Sequence, residues 1–313
     1  MNKKIKDYIY TIYELTKRNM IIFFKNKTTI FFSLIAPVLI LFIYLVFMSD
    51  MQTELILDSY PNITLNKTEV NSLINSWLIA GIVGIASLTV ALNSMFITIL
   101  DREKKTINDF KASPINNINL TLSYFISAFI ITFILTLSFI IIGNIYLILS
   151  GGNMFLFNFK ETIWIILLLI ISTLSSVIIL MFITSFFKKT STAASFTGVF
   201  TALIGFLIGA YLPISYLPKY IQNIANLLPG SHVTALFRQV FMDKILSSNE
   251  FVSEIPKSFI IEVKNNYGYN LILFNHELSK SFMVIYILIT SFIFFGLLIG
   301  INKIRDKSTK NGN

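Results

Sequence analysis

The chain has 313 residues, of which 55% are hydrophobic and only 13% are charged, and its formal net charge is +9. Soluble domains contain about twice that share of charged residues, so this composition argues against a soluble globular protein. The absence of cysteine excludes disulfides, cysteine-ligated metals and thiol catalysis.

Six stretches lack Asp, Glu, Lys, Arg and His and are rich in Ile, Leu, Phe and Val: 28–49, 70–100, 112–159, 162–187, 190–218 and 281–302. About 20 apolar residues in a helix cross a hydrocarbon core of roughly 30 Å. We therefore predict an all-α polytopic membrane protein with six transmembrane helices, at about 29–49, 76–100, 119–149, 162–187, 194–212 and 281–301. Because ionisable groups inside spans usually mark ion or proton coupling, their absence indicates an energy source outside the membrane.

Before the first span, residues 1–28 place apolar side chains at helical spacing opposite charged ones. The apolar positions are Ile5, Tyr8, Ile9, Ile12 and Leu15. This pattern predicts an amphipathic helix lying on the cytoplasmic membrane surface; a solvated basic lead-in is the alternative. Within the first span, Pro37 removes a backbone donor and predicts a kink.

Small and polar residues recur on one face of the second span and one face of the fifth. They are Gly84, Ser87 and Asn93 in the second span, and Gly198, Thr201, Gly205 and Gly209 in the fifth. Such faces allow helices or subunits to approach closely. They are candidates for the transport pathway or a dimer face, and simple helix packing is the alternative. Trp77 and Trp164 fall at the outer ends of spans two and four, where aromatic belts lie.

External segments are expected at 50–75 and 213–280. Between Leu212 and Met242 the second of these is apolar but broken by prolines and a glycine: Pro213, Pro218, Pro229 and Gly230. This spacing predicts two short helices, roughly 218–228 and 231–242, that form a re-entrant hairpin in the outer leaflet between spans five and six. Residues 243–280 are expected to form a small polar cap.

Charge placement sets the expected orientation. Of the 25 Lys and Arg residues, 17 fall in segments that share the side of the N-terminus and eight fall on the other side. Cytoplasmic loops are enriched in Lys and Arg, so we predict that both termini, including the tail 302–313, are cytoplasmic. The net charge then needs no nucleic-acid partner.

The inner loop after the second span reads DREKKTINDFKASPINNINL. Its charged residues alternate with Ile107 and Phe110, which predicts a short amphipathic helix whose charges contact a soluble partner. A charged loop that merely sets topology is the alternative.

This loop is similar to that of the ABC-2 type transporter permeases, the six-span membrane subunits of ABC exporters. The family's Arg-Glu pair, threonine and Ser-Pro-hydrophobic step match Arg102, Glu103, Thr106, Ser113, Pro114 and Ile115. The first span resembles the family's at Arg18, Lys25 and Pro37, and the segment with Arg238 resembles the family's external hairpin. Lys105 replaces a common glycine, and Ser123 and Tyr124 replace an expected Gly-Lys.

The resemblance implies a permease that forms the pathway for an amphipathic drug, peptide or lipid-like cargo in a bacterial cell membrane. Its implied partners are two copies of an ABC ATP-binding subunit and a second permease, in a homodimer or a heterodimer, within membrane lipid. The implied ATPase-coupling loop comprises Arg102, Glu103, Lys104, Thr106, Phe110 and Pro114. The implied external gate comprises Pro213, Pro218, Pro229 and Arg238.

The chain contains no GxxxxGK[ST] segment, which a phosphate-binding loop requires. We therefore expect no ATPase activity and no bound cofactor in this chain, with ATP and Mg²⁺ on the partner subunit. Three other classes compete with a transporter subunit. A membrane enzyme would need a site around His232 and His276, which are 44 positions apart. An ion-coupled carrier would need carboxylates within the spans. A sensor or scaffold of an antibiotic-response complex, without transport, is the third.

Overall fold

The computed structural model describes residues 3–44, 48–59, 66–113, 115–149, 157–247 and 256–311. Within those ranges the chain is almost entirely helical. The helices are α1 (Lys3–Lys25), α2 (Lys27–Ile43), α3 (Ser49–Ser59), α4 (Lys67–Ser94), α5 (Phe96–Glu103), α6 (Thr106–Ala112), α7 (Asn117–Leu149), α8 (Phe159–Thr184), α9 (Thr190–Leu207), α10 (Lys219–Asn226), α11 (Pro229–Leu246), α12 (Lys257–Asn266) and α13 (Lys280–Asn311). A 3₁₀ turn covers Ile214–Tyr216, and strands β1 (Ile272–Leu273) and β2 (His276–Glu277) pair antiparallel.

Five helical segments in the described residues are long and apolar enough to cross a membrane: Lys67–Glu103, Asn117–Leu149, Phe159–Thr184, Thr190–Leu207 and Lys280–Lys303. The pair α1 and α2 meets the same test together but is bent by 73°. Counting this bent pair as one broken span gives six. The prediction of an all-α polytopic membrane protein is confirmed.

The bend between α1 and α2 lies at Asn26. Its side-chain Oδ1 accepts a hydrogen bond from the Thr29 amide at 3.1 Å and thereby caps the start of α2. On α1, Leu15, Asn19 and Phe23 are buried against the bundle, whereas Ile5 and Ile9 are exposed. One face of α1 therefore packs against the bundle, and a second face exposes apolar side chains at the protein surface.

Helix α4 lies at the centre of the bundle, and 94% of the residues in its most apolar 18-residue stretch are buried. It packs against α2, α7, α8 and α11. Small residues permit this: a Cβ added to Gly84 would lie 2.1 Å from Thr234 Oγ1 of α11. The corresponding windows of α9 and α13 are each only 17% buried, so these two helices lie at the periphery.

Helix α4 starts earlier than the second span was expected to start. It begins at Lys67, because Asn66 Oδ1 accepts a hydrogen bond from the Thr68 amide at 3.0 Å and caps the helix. Its polar first turns are satisfied by α3, where Ser49 Oγ lies 2.8 Å from Asn71 Oδ1 and 3.1 Å from Asn75 Oδ1. The apolar window alone could not show these contacts.

The predicted place of Trp77 in an aromatic belt is wrong. Trp77 is fully buried, with its ring centroid 5.4 Å from that of Tyr44 and 5.5 Å from that of Tyr267. Tyr267, the residue after α12, and Tyr44, the residue after α2, pack on the indole ring together with Arg238 of α11. Trp164, by contrast, is 47% exposed.

Candidate functional site

The loop between α5 and α6 is a tight turn. Lys105 has φ 60°, in the left-handed region that favours glycine, and its amide donates to the Arg102 carbonyl at 3.2 Å. The family resemblance places a glycine at this position. The turn ends α5 at Glu103 and starts α6 at Thr106. It lies at the end of the bundle that the charge pattern predicts to face the cytoplasm, and the helix ends on this side are called the inner ends.

Arg102 and Glu103 bind opposite ends of the connection between α8 and α9. The Arg102 Nη1 donates to the carbonyls of Thr184 at 3.0 Å, Ser185 at 3.3 Å and Phe187 at 3.4 Å. These carbonyls at and just past the end of α8 include acceptors that helix geometry leaves without an internal partner. Glu103 Oε2 accepts from the Thr190 amide at 2.9 Å and from its hydroxyl at 2.5 Å, which caps the start of α9.

Asp101, the residue before them, binds two further helices. Arg18 of α1 donates both terminal nitrogens to the Asp101 carboxylate, at 2.7 Å and 2.8 Å, and Tyr124 of α7 donates its hydroxyl at 2.5 Å. The Arg18 guanidinium also lies 5.2 Å from the centre of the Phe110 ring of α6. Two-pronged, charge-assisted bonds of this kind are among the strongest that side chains make.

Asp101, Arg102 and Glu103 therefore form a hub in which three consecutive side chains hold α1 and α7, the end of α8, and the start of α9. Sequence reasoning missed the Asp101 pair. The available signal was that Asp101 is the first charged residue after the charge-free stretch 70–100, while Arg18 matched the family's pattern.

The remaining predicted residues of this loop differ in exposure. Lys104, Lys105 and Asp109, whose charges were predicted to contact a soluble partner, are exposed, and so is Asn108. Thr106 and Phe110 are half-buried. Pro114 lies outside the described residues. The loop thus offers an outward charged surface next to a hub that is bonded to the bundle.

A cavity of about 900 Å³ lies between α2, the junction of α4 and α5, and α9. Three of the predicted pathway residues line it together: Asn93, Gly198 and Thr201. The rest of the lining is mainly apolar and aromatic, including Phe32 and Phe206. No charged side chain is among the lining residues in the described part of the chain.

The other four predicted pathway residues pack inside the chain. Gly84 packs closely against Thr234 of α11, and the Ser87 Oγ donates to the Gly84 carbonyl at 2.8 Å. A Cβ on Gly205 would lie 2.3 Å from the Tyr211 ring. Gly209 has φ 67° and ends α9 in a turn. The structure therefore divides the two small-residue faces into a cavity-lining group and a close-packing group.

The outer end of the bundle is organised around Arg238 of α11, which is fully buried. Its Nη2 donates to the Gly209 carbonyl, its Nη1 donates to the Gly268 carbonyl at 3.4 Å, and its guanidinium lies 5.3 Å from the Trp77 ring centre. Arg238 thus joins the end of α9, the central helix α4 and the cap after α12. This assembly is called the outer lock below.

The predicted prolines of the gate mark element starts. Pro213 precedes the 3₁₀ turn, Pro218 precedes α10, and Pro229 is the first residue of α11, where its missing N–H costs no helix bond. The helices α10 and α11 form the expected pair of short helices joined by a turn, but α11 continues past the predicted end at 242 to Leu246 and is buried against α4. Ser231 and Asn226 at its turn are buried, whereas Tyr220 on α10 is 68% exposed.

The two histidines do not share a described site. His232 is buried, donates its Nε2–H to the Asn226 carbonyl at 2.8 Å, and stacks on Tyr286 with ring centroids 4.3 Å apart. Burial lowers the pKa of His232 to about 4, so its ring is neutral at physiological pH. His276 is exposed on β2. Within the described residues no group of three or more His, Asp or Glu side chains is arranged to hold a metal ion.

Residues 10–242 match the ABC-2 type transporter family, and the chain belongs to that family. The matched region includes the hub, the cavity and the outer lock up to Met242. The membrane domain of this family is the permease component of ABC transporters, which works with an ABC ATP-binding subunit and itself lacks the ATPase site. No curated protein matches the chain.

Proposed function

We propose that this chain forms the translocation pathway of an ATP-driven exporter in a bacterial cell membrane, with both termini cytoplasmic. The observation that carries the proposal is the uncharged cavity of about 900 Å³ beside α9. Its volume lies within the range of about 300–1,000 Å³ that is typical of small-molecule sites.

The chemistry of the cavity supports an amphipathic cargo. Its polar lining consists of hydroxyls and one amide, from residues such as Asn93, Thr197 and Thr201, set among aromatic and aliphatic side chains. A fully ionised cargo group would lose its hydration there without a charged partner, at a cost of several kcal/mol. Drugs, peptides and lipid-like molecules with a large apolar part fit this lining.

A second permease subunit, identical or related, closes the cavity in this proposal. The side of α9 that carries Gly198, Val199 and Leu203 is exposed, and a Cβ on Gly198 would have no neighbour within 4 Å. Small residues on such a face let a second helix approach closely. The assembly contains two permease subunits and two ATP-binding subunits, which supply ATP and Mg²⁺.

Coupling runs through the hub. The ATP-binding subunit docks on the exposed residues Lys104, Lys105 and Asp109, and its movement displaces α5 and α6. Because Asp101, Arg102 and Glu103 are bonded to α1, α7, α8 and α9, that displacement reaches α9, which lines the cavity, and α1, which leads into the cavity-lining helix α2. The outer lock then opens to release cargo.

The test is transport by the chain together with its ABC ATP-binding subunit. ATP-dependent accumulation of a fluorescent amphipath in inverted membrane vesicles is expected, and the chain purified alone should hydrolyse no ATP. Gly198→Trp, which fills the cavity, should abolish accumulation, whereas Gly296→Trp on the exposed side of α13 should not. Normal transport by Gly198→Trp, at normal assembly, would contradict the pathway. Ligand-dependent ATP hydrolysis without transport of any probe would instead favour a sensor.

A further inference from the structure

A second cleft, of about 360 Å³, lies at the inner ends of α5, α7, α8 and α13. It is separate from the cavity beside α9, since the two share no lining residue. Its floor, the buried part of the lining, includes the apolar side chains of Leu120, Met181 and Leu298. Its rim, the more exposed part, includes the polar side chains of Arg102, Lys188 and Asn302. The cleft therefore has two chemically different parts.

The charge of the rim is entirely positive. Arg102 and Lys188 line the cleft, and its described lining residues include no Asp or Glu. The hydroxyl of Thr121 and the amide of Asn117, at the start of α7, add hydrogen-bonding groups. A ligand with a negative head and an apolar tail complements this arrangement at both ends.

The position of the cleft identifies the source of such a ligand. It lies where α8 ends at Thr184, α7 begins at Asn117 and α13 passes Asn302. At that level a bilayer presents headgroups to the rim and acyl chains to the floor. Basic pockets between membrane helices on the cytoplasmic side bind anionic lipid headgroups.

We propose that this cleft binds one anionic phospholipid of the cytoplasmic leaflet, with its phosphate at Arg102 and Lys188 and an acyl chain along Leu120 and Leu298. The proposal rests on the proposed orientation of the chain. Arg102 also donates to the carbonyls at the end of α8, so the lipid headgroup contacts the hub directly. Lipid binding thus stabilises the hub in the arrangement described above.

Native mass spectrometry of the purified chain, titrated with phosphatidylglycerol or with phosphatidylcholine, tests the proposal. Wild type should bind phosphatidylglycerol preferentially. Lys188→Gln should weaken that preference about fivefold, the effect of removing one cation near an anionic headgroup. Lys189→Gln is the matched control, because Lys189 is adjacent and exposed but does not line the cleft. Thr121→Trp should block the cleft, whereas the neighbouring Leu122→Trp, which is outside it, should not.

Equal binding of the two lipids by the wild type would overturn the proposal, and so would equal losses of binding in the Lys188 and Lys189 variants. Binding of inorganic phosphate in place of the lipid would overturn it as well. The last result would indicate a site for a free anion. The assay uses the chain without its ATP-binding subunit, so transport can fail while lipid binding succeeds, and the reverse. A thiol reagent applied to Lys188→Cys from either side of vesicles tests the orientation separately.

Discussion

Arg18 and Asp101 form a two-pronged ion pair across 83 positions of the chain, with nitrogen–oxygen distances of 2.7 Å and 2.8 Å. The pair attaches the helix before the first span to the inner end of the second. Asp101 is 6% exposed and Arg18 is 31% exposed at their side chains, so solvent screens the interaction only in part.

We predict that Asp101→Asn destabilises the purified chain by about 2 kcal/mol, because an amide cannot accept both Arg18 bonds at full charge. Thermal unfolding in detergent would measure the loss. Asp7→Asn, at an exposed position on α1, is the control and should have no effect. Combining Asp101→Asn with Arg18→Met should cost less than the sum of the single changes, since they share one interaction. Additive costs would show that the pair is not coupled.

Glu103→Ala and Arg102→Ala should insert into the membrane normally but reduce transport per ATP hydrolysed several-fold. Each change releases one end of the connection between α8 and α9, so movement of α5 no longer reaches both helices. Transport and ATP hydrolysis are measured on the same vesicles, with Asp7→Asn as an exposed control on α1. Wild-type transport in both alanine variants would mean that the loop only sets topology.

The outer hairpin should open during transport. Since the chain has no cysteine, single cysteines report their own positions. A cysteine at Ser231, which is 2% exposed, should react with a membrane-impermeant thiol reagent only while ATP is being hydrolysed. A cysteine at Tyr220 should react equally in all states and from the outside. Labelling of Ser231→Cys that ignores nucleotide would indicate a static lid, and labelling of Tyr220→Cys only from the cytoplasm would reverse the orientation.

Gly268→Ala should weaken the outer lock. Gly268 has φ 66°, which costs an alanine about 1–2 kcal/mol, and the new Cβ would lie 2.6 Å from Arg238 Nη1. We expect lower thermal stability and faster proteolysis of the external cap. Gly296→Ala, in a helix and without neighbours within 4 Å, is the matched control and should lose nothing. Equal stability of the two variants would contradict a tight contact at Gly268.

Lys105→Gly should stabilise the chain by about 1 kcal/mol, because glycine adopts φ 60° without the strain that a side chain imposes. Lys104→Gly is the control: Lys104 has φ −78°, where glycine relieves nothing. The unfolding midpoint should therefore be higher than that of the wild type in Lys105→Gly but not in Lys104→Gly. A loss of stability in Lys105→Gly would show that its side chain makes a contact worth more than the strain.

Hydropathy was enough to predict the helical membrane fold, because the cost of burying charge in lipid leaves long charge-free stretches in the sequence. Proline positions predicted the α10–α11 hairpin for a similarly local reason. The start of α4 was placed too late, since hydropathy gives no weight to the Asn66 cap or to the polar first turns that contact Ser49 of α3. The predicted position of Trp77 was wrong because its burial depends on Tyr267, which is 190 positions away in the sequence.

The candidate site was predicted by residue type more than by arrangement. Arg102 and Glu103 were singled out as contacts for a soluble partner, and that role stays a prediction, while their bonds to Thr184 and Thr190 were not foreseen. Asp101 and Tyr124 were missed because a pair between distant helices leaves no spacing pattern. The cavity residues Asn93 and Gly198 were found together with Gly84, and only three-dimensional packing separates them.

The one-residue joint at Asn26 gives α1 the geometry of a lever. Arg18 is eight positions from the joint and Lys3 is 23, which correspond to about 12 Å and 35 Å along the helix. A displacement of about 1 Å at Arg18 therefore becomes about 3 Å at Lys3 if α1 pivots as a rigid rod. A small rearrangement around Asp101 therefore produces its largest displacement, and the one easiest to detect, at the N-terminal end of α1.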